Sequence, residues 1–152
     1  MNCRHLAVAS VSVALMSCAT FQRPAPNAGR PEISVTLPAP PDCIAARVHA
    51  AFVAYQLPVS TSQPGVIESR LPLLRGLQGY YDLFARAVII PSDSMTSVTL
   101  YGEETLYPAD GPRTAGETTR IGPRSQGRAG EVWAKLQTVA KELQGDATLV
   151  RR

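Results

Sequence analysis

The sequence has few of the side chains that catalytic and metal-binding sites most often use. Of its 152 residues, two are histidine and three are cysteine. A catalytic triad needs a histidine base beside a serine or cysteine, and the histidine beyond the N-terminal segment is His49. No group of histidine, cysteine and carboxylate residues shows the spacing of metal ligands. We therefore expect no catalytic residue, no metal ion and no cofactor.

Lysine and long apolar runs are also scarce. The 15 lysine and arginine residues against 12 aspartate and glutamate give a formal net charge of +3. The lysines are Lys135 and Lys141, and the excess of arginine is explained either by a GC-rich composition or by an anionic partner. The longest apolar run, Leu6 to Met16, would rise about 16 Å as a helix, well short of the roughly 30 Å hydrocarbon core of a bilayer. This run should therefore not form a transmembrane span.

The same apolar run belongs to an N-terminal segment with the layout of an export signal. Arg4 supplies the positive start, the apolar run follows, and Ser17-Cys18 ends the segment. The sequence Leu15-Met16-Ser17-Cys18 resembles the bacterial lipobox, with leucine three residues before the cysteine and a small residue directly before it. Met16 is a less usual occupant of its position. The resemblance implies that residues 1–17 are a lipoprotein signal peptide and that Cys18 is the lipidated first residue of the mature protein.

The resemblance also implies where the protein resides. In bacterial lipoproteins the cysteine thiol receives a diacylglycerol, and the peptide bond before the cysteine is cut. The amine that this cleavage exposes is then acylated, typically with palmitate, and several acyl chains anchor a protein stably. Ala19 stands where an aspartate often signals retention at the inner membrane. We therefore expect the outer membrane, with the domain in the periplasm; the alternatives are the periplasmic face of the inner membrane and an ordinary secretory signal cleaved nearby. Because Cys3 would leave with the signal, Cys43 is expected to be a free, packed thiol with no intrachain disulfide.

Proline divides the mature chain into a tether and a folded domain. Residues 18–41 are rich in proline and poor in large apolar side chains, so they are expected to form an extended tether. Residues 42–152 have the mixed apolar and polar content of one small domain. The domain is therefore expected to stand clear of the membrane surface.

Helical and strand patterns alternate within residues 42–152. We expect a helix capped by Asp42 that runs from Cys43 to about Gln56, followed by strands at 59–62 and 66–69 joined by a Pro64-Gly65 type II turn. A hairpin of 81–90 and 96–107 follows, and the last element is an amphipathic helix with Glu131 in its first turn and Gly145 just past its end. A glycine-containing loop at 71–79 separates the second strand from the hairpin.

The second strand of the hairpin has two different faces. One face carries Val98, Leu100, Glu104 and Leu106. The other carries Thr99, Tyr101, Glu103, Thr105 and Tyr107. The alternation is imperfect near Gly102, where we expect a bulge or a bend.

A polar segment at 108–130 is expected to be a long loop. It carries four arginines that could bind an anionic ligand such as lipopolysaccharide, phospholipid headgroups or an acidic protein patch: Arg113, Arg120, Arg124 and Arg128. The alternative is that these arginines are simply solvated. A loop of this length is usually either functional or mobile.

This order of elements predicts an α+β fold. We expect an antiparallel sheet of three to four strands with an N-terminal and a C-terminal helix packed on one face. In element order, residues 42–145 resemble the helix-grip domains found in BamC-type lipoproteins of the outer-membrane assembly machinery. The resemblance carries no motif, so it assigns no functional residue.

Three functions are compatible with these patterns. The first is a non-enzymatic envelope lipoprotein that binds an envelope protein or stabilises an assembly, with the membrane contacted through Cys18 and no nucleic acid as partner. The alternative is a small-ligand or lipid-binding domain with a groove between helix and sheet, lined by Phe52, Tyr55, Phe84, Val88 and Trp133. The third, an enzyme, would need carboxylates gathered in a pocket, with Glu68, Glu103 and Glu104 as the candidates.

Overall fold

A computed structural model describes residues 30–75, 79–109 and 116–149, except for the side chains of 72–74 and 146–149. In chain order the elements within those ranges are β1 (Ile33–Leu37), α1 (Pro41–Ala54), β2 (Val59–Gln63), β3 (Val66–Arg75), β4 (Gly79–Pro91), β5 (Thr96–Pro108), β6 (Glu117–Ile121) and α2 (Gly127–Leu149). The chain divides into two compact units, Met1–Arg30 and Pro31–Arg152, and all of these elements belong to the second.

The six described strands form one antiparallel sheet. Five of them lie in the order β1-β5-β4-β3-β2, and β6 also pairs with β5. Strand β1 pairs with Thr96–Leu100, whereas β6 pairs with Gly102–Leu106, so the two short strands follow one another along the same edge of β5. The long β4–β5 hairpin is therefore the centre of the sheet, and α1 contacts α2 as well as β3 and β4.

One face of the sheet is apolar because residues alternate along each strand. On β4 the buried side chains on this face are Leu83, Ala85, Ala87 and Ile89. They share one core with buried side chains of both helices, among them Ile44, Val48, Phe52, Leu136, Val139 and Leu143. The opposite face of β4, which carries Phe84, Arg86 and Val88, is half-buried.

The C-terminus of α1 shows how the chain turns from helix to strand. The backbone N–H of Leu57 donates to the carbonyl of Phe52 at 2.8 Å, and that of Gln56 donates to Val53 at 3.1 Å. Gln56 has a φ of 57°, the left-handed conformation in which a helix often ends. This turn places the fully buried Leu57 in the core beside Phe52. The expected cap at the other end is absent, because Asp42 lies in the first turn and Pro40 occupies the N-cap without a side-chain bond.

The predicted fold class is wrong. The sheet has six strands within the described residues instead of three to four, and more of these residues lie in strands than in helices. The first helix is not the N-terminal element, because β1 precedes it and pairs with β5 at the edge of the sheet. The longer helix is the C-terminal one. The helix-grip arrangement, with terminal helices packed on a smaller sheet, therefore does not describe this chain.

The additional strands lie in segments where we expected no regular structure. Strand β1 lies within residues 18–41, so the folded part of the chain extends further towards the N-terminus than residue 42. Strand β6 and the start of α2 lie within the expected loop at 108–130. Strand β3 likewise continues to Arg75, into the expected loop at 71–79.

The hairpin is confirmed, with longer strands than expected. Its pairing runs without a register shift from Gly79 opposite Pro108 to Pro91 opposite Thr96, so the expected bulge at Gly102 is absent. Instead, Gly102 gives room to β6: a Cβ at this position would lie 3.1 Å from the side chain of Ile121. At the other end of the chain, Gly145 lies inside α2 and does not terminate the helix.

Candidate functional site

The most distinctive surface of the domain is the side of the sheet that faces away from the core. Charged and aromatic residues at alternate positions of β3, β4, β5 and β6 share this side. We call the following set the polar face: Glu68, Arg70, Asp82, Phe84, Arg86, Tyr101, Glu103 and Arg120. Its members lie on β3, β4, β5 and β6, and the pairing of these strands brings them together.

Four of these residues form a continuous row of alternating charge, which we call the ion-pair row. Arg86 donates from Nε to Glu68 Oε2 at 2.5 Å and from Nη1 to Glu103 Oε2 at 2.6 Å. Arg120 Nε lies 3.5 Å from the other oxygen of Glu103. The row therefore runs from β3 to β6 in the order negative, positive, negative, positive.

Strand register brings these charges together. Glu68 lies directly opposite Arg86 in the β3–β4 pair, and Glu103 lies directly opposite Arg120 in the β5–β6 pair. Glu103 reaches Arg86 diagonally, since the residue opposite Arg86 is Tyr101. Cross-strand pairs of opposite charge stabilise a sheet by roughly 0.2–1 kcal/mol each. The row is thus both an electrostatic feature and a determinant of register.

Two aromatic rings support the guanidinium groups of the polar face. The guanidinium carbon of Arg120 lies 3.6 Å from the centre of the Tyr101 ring. Those of Arg86 and Arg70 lie 5.4 and 5.6 Å from the centre of the Phe84 ring. At these distances the ring quadrupole attracts the cation. The three arginines are therefore held against the sheet.

The environment of Arg86 favours its charged form. Burial lowers the pKa of this guanidinium, but the hydrogen bond to Glu68, the negative charges of Glu103 and Glu68, and a hydrogen bond with Tyr101 together raise the pKa above its usual value. Because arginine stays protonated in proteins, Arg86 cannot exchange a proton with Glu68 or Glu103. The guanidinium is therefore a fixed positive charge between the two carboxylates.

A second charged pair of the polar face joins Arg70 on β3 to Asp82 on β4. Arg70 Nη2 donates to Asp82 Oδ2 at 2.7 Å, and the Tyr107 hydroxyl lies 3.4 Å from the same oxygen. The Asp82 side chain is 3% exposed, whereas that of Arg70 is 57% exposed. Beside them, the hydroxyls of Thr105 and Thr118 are 2.9 Å apart. Arg70 is thus the exposed member of this pair, and Asp82 is the buried one.

Two buried polar atoms of the polar face have no hydrogen-bond partner in the part of the chain that the structure describes. They are Asp82 Oδ1 and Arg120 Nη1. An unsatisfied buried donor or acceptor costs roughly 1–3 kcal/mol. Because both atoms are enclosed, this cost falls on the fold, and a partner that docks on the surface cannot reach them.

The four arginines singled out in the sequence do not share one environment. Arg120 lies on β6, where Glu103 and Tyr101 hold it. Arg124 and Arg128 are exposed, in the turn before α2 and in its first turn. Arg113 lies outside the described residues. An anion-binding patch made of all four remains a prediction, and Arg120 has its charge already paired.

The cysteines raise a conflict between sequence and structure. Cys43 is disulfide-bonded in the structure, so the expectation that it is free and that no intrachain disulfide forms is wrong for this form of the chain. Its partner lies outside the described residues, as do Cys3 and Cys18, the remaining cysteines of the sequence. After the predicted processing neither thiol would be available, since Cys3 leaves and the sulfur of Cys18 carries the lipid. The predicted lipidation and this intrachain disulfide therefore exclude each other in the mature protein.

The residues proposed to line a lipid groove are divided between the two faces of the sheet. Phe52 is fully buried in the core, and Trp133 is 9% exposed there. Phe84 and Val88 alternate with core residues of β4 and so lie on the opposite side. Tyr55 hydrogen-bonds to Glu142, which raises the pKa of the tyrosine above 10.0. A shallow depression of about 180 Å³ between the helices is lined by Arg47, Ala50, Glu142 and Leu143.

The described residues bring together two of the three carboxylates considered for catalysis. Glu68 and Glu103 both bind Arg86, whereas Glu104 pairs in register with Leu83 and Thr119. His49 is exposed on α1. Within the ranges 30–75, 79–109 and 116–149, no three His, Cys, Asp or Glu residues are grouped as metal ligands, and no helix has the length and apolar content to cross a bilayer.

Sequence reasoning placed two of the eight residues of the polar face together. It placed Tyr101 and Glu103 on one side of β5, together with Thr105 and Tyr107, and these side chains do contact the polar partners on that side. It did not find Arg86, although Asp82, Phe84 and Arg86 recur with the period of two that marks one face of a strand. A scan of the sequence against protein-family models finds no match, and neither does a search among curated proteins.

Proposed function

We propose that this chain is a non-enzymatic, lipid-anchored protein of the bacterial cell envelope whose domain binds another protein through the polar face. The lipobox-like segment ending at Cys18 supports the anchor, and Ala19 favours the outer membrane over the inner one. The single observation that carries the binding role is the ion-pair row, which lies on the side of the sheet opposite the core.

The composition of the polar face is that of a protein-binding surface. Arginine and aromatic residues are enriched where proteins contact each other, and they supply much of the binding energy. The side chains of the ion-pair row are 17–31% exposed, so a partner can reach them. Since both signs of charge are present, the fitting partner also carries both signs.

The polar face favours this function over a lipid-binding one. A groove between helix and sheet would need free volume, but the side chains on that side fill a common core. A catalytic role is disfavoured because Glu68 and Glu103 are both occupied by Arg86.

Photocrosslinking in the envelope tests the proposal. Val88 is half-buried beside Arg86 on the polar side of β4, and Val53 is 57% exposed on α1. We replace each in turn with p-benzoylphenylalanine in the full chain, irradiate cells and determine the mass and peptides of every adduct. We expect a discrete protein adduct from position 88 that position 53 does not give. No adduct from position 88, or the same adducts from both positions, would refute the binding role.

A further inference from the structure

We infer that a second copy of this chain occupies the polar face, so that the protein forms a two-fold symmetric dimer. This inference rests on the proposed function and names its partner. It follows from three properties of the polar face: its balance of charge, the order of its charges and its remaining hydrogen-bonding capacity.

The balance of charge argues against a polyanionic partner. The three guanidiniums of the polar face are matched by three carboxylates, those of Glu68, Asp82 and Glu103. Nucleic acids and anionic membrane surfaces are attracted by a net positive field, which a balanced surface does not provide. A protein surface with both signs of charge fits better.

The order of the charges makes the ion-pair row complementary to itself. The row alternates in sign and has an even number of members, so a two-fold rotation about an axis through its middle reverses the order of signs. In that arrangement Arg86 of one copy would face Glu103 of the other copy. Glu68 of one copy would face Arg120 of the other. Isologous interfaces of this kind are the commonest in soluble oligomers.

The members of the row can each form further bonds. An arginine has five N–H donors and a carboxylate can accept several. Arg86 uses Nε and Nη1 for its two carboxylates, and Glu68 accepts from it through Oε2. A second copy can therefore add bonds without breaking those that hold the row. Arg70, the most exposed member of the polar face, would extend the contact.

The available area is of the right size. At about 4.8 Å between strands and 3.3 Å per residue, strands β3 to β6 present on the order of 650 Å². A standard protein interface buries roughly 800 Å² on each partner, and projecting side chains add to the flat estimate.

Reversal of the whole row gives a sharp test. The variant Glu68→Arg, Arg86→Glu, Glu103→Arg, Arg120→Glu keeps the alternation within one chain, and is again complementary to itself, but places like charges against the wild type. We mix isotope-labelled wild type with the unlabelled variant, both as full, membrane-extracted chains in detergent, and count dimers by native mass spectrometry. Each protein should form its own dimer, and the mixed dimer should fall at least about tenfold below its statistical share, since like charges in an interface cost several kcal/mol.

Two results would overturn the inference: a monomeric wild type, or mixed dimers at their statistical share. If the reversed variant does not fold, the adduct from p-benzoylphenylalanine at position 88 decides. An adduct with twice the mass of the chain and only its own peptides supports the dimer. An adduct with a different protein refutes the dimer and leaves the proposed function standing, and no adduct refutes both.

Discussion

Arg86 on β4 and Glu68 on β3 face each other in register and are joined by a hydrogen bond of 2.5 Å, although they are 18 residues apart in sequence. The same guanidinium binds Glu103 on β5. One side chain thus connects the three longest strands of the sheet. Its removal would take from Glu68 the guanidinium that it binds and would leave Glu103 with Arg120.

We predict that Arg86→Ala destabilises the fold by about 1–3 kcal/mol, because charge-assisted hydrogen bonds are lost while solvent screens part of the effect. Urea denaturation followed by circular dichroism measures the change. The matched control is Arg124→Ala, at an exposed arginine, where we expect a change within about 0.5 kcal/mol. Equal effects of the two substitutions would show that the ion-pair row does not stabilise the sheet.

A pair of glycine substitutions tests the packing of β6. Gly102→Ala places a Cβ 3.1 Å from Ile121, so we expect a loss of about 1–3 kcal/mol from overpacking. Gly145→Ala has open space in α2, and we expect a gain of about 0.5–1 kcal/mol from the helix preference of alanine. In both thermal and urea unfolding, the change in the free energy of unfolding should therefore be negative for Gly102→Ala and positive for Gly145→Ala. A stabilising Gly102→Ala would mean that β6 does not pack closely on β5.

The C-terminus of α1 offers a stabilising substitution. Gln56 has a positive φ, which glycine adopts without the steric cost that a Cβ imposes. We expect Gln56→Gly to stabilise the domain by about 0.5–1 kcal/mol, and Gln56→Ala, which keeps the Cβ, to give no comparable gain. The comparison of their urea midpoints checks this. A destabilising Gln56→Gly would contradict the helix end described above.

The raised pKa of Tyr55 leads us to expect that the free energy of unfolding changes with pH in the alkaline range. Its hydrogen bond to Glu142 raises the pKa of the folded-state phenol above the ordinary 10.0. Because the folded pKa is the higher one, the contribution is fully present below pH 10 and is lost as the pH rises through the folded-state value. The free-energy difference between wild type and Tyr55→Phe should accordingly shrink over that rise. If the difference is the same from neutral pH to well above pH 10, the bond does not form in solution.

The sequence predicted the elements with strong local patterns and missed those that depend on pairing. The hairpin and the C-terminal helix have clear apolar periodicity, which does not depend on distant residues. Strand β1 also alternates, with Ile33, Val35 and Leu37 at every second position, but the surrounding prolines favoured a tether. Strand β6, Glu-Thr-Thr-Arg-Ile, has one apolar residue, so no local pattern predicts it.

The ion-pair row could be predicted only in part for the same reason. The face of β5 that carries Glu103 follows from alternation along one strand. The pairing of Arg86 with Glu68 and Glu103 depends on the register of three strands, which local sequence does not specify. Arg120 was expected in a loop, and its position on β6 converts a solvated charge into a member of the row.

Lipidation of Cys18 is tested most directly by the intact mass of the full chain, expressed with its own N-terminal segment and extracted from membranes, beside a Cys18→Ser variant. We predict a mass equal to residues 18–152 plus a diacylglycerol and an acyl chain, and loss of that lipid in the variant. A product that keeps residues 1–17, or one that lacks lipid and holds Cys43 in a disulfide, would contradict a lipid-anchored envelope protein.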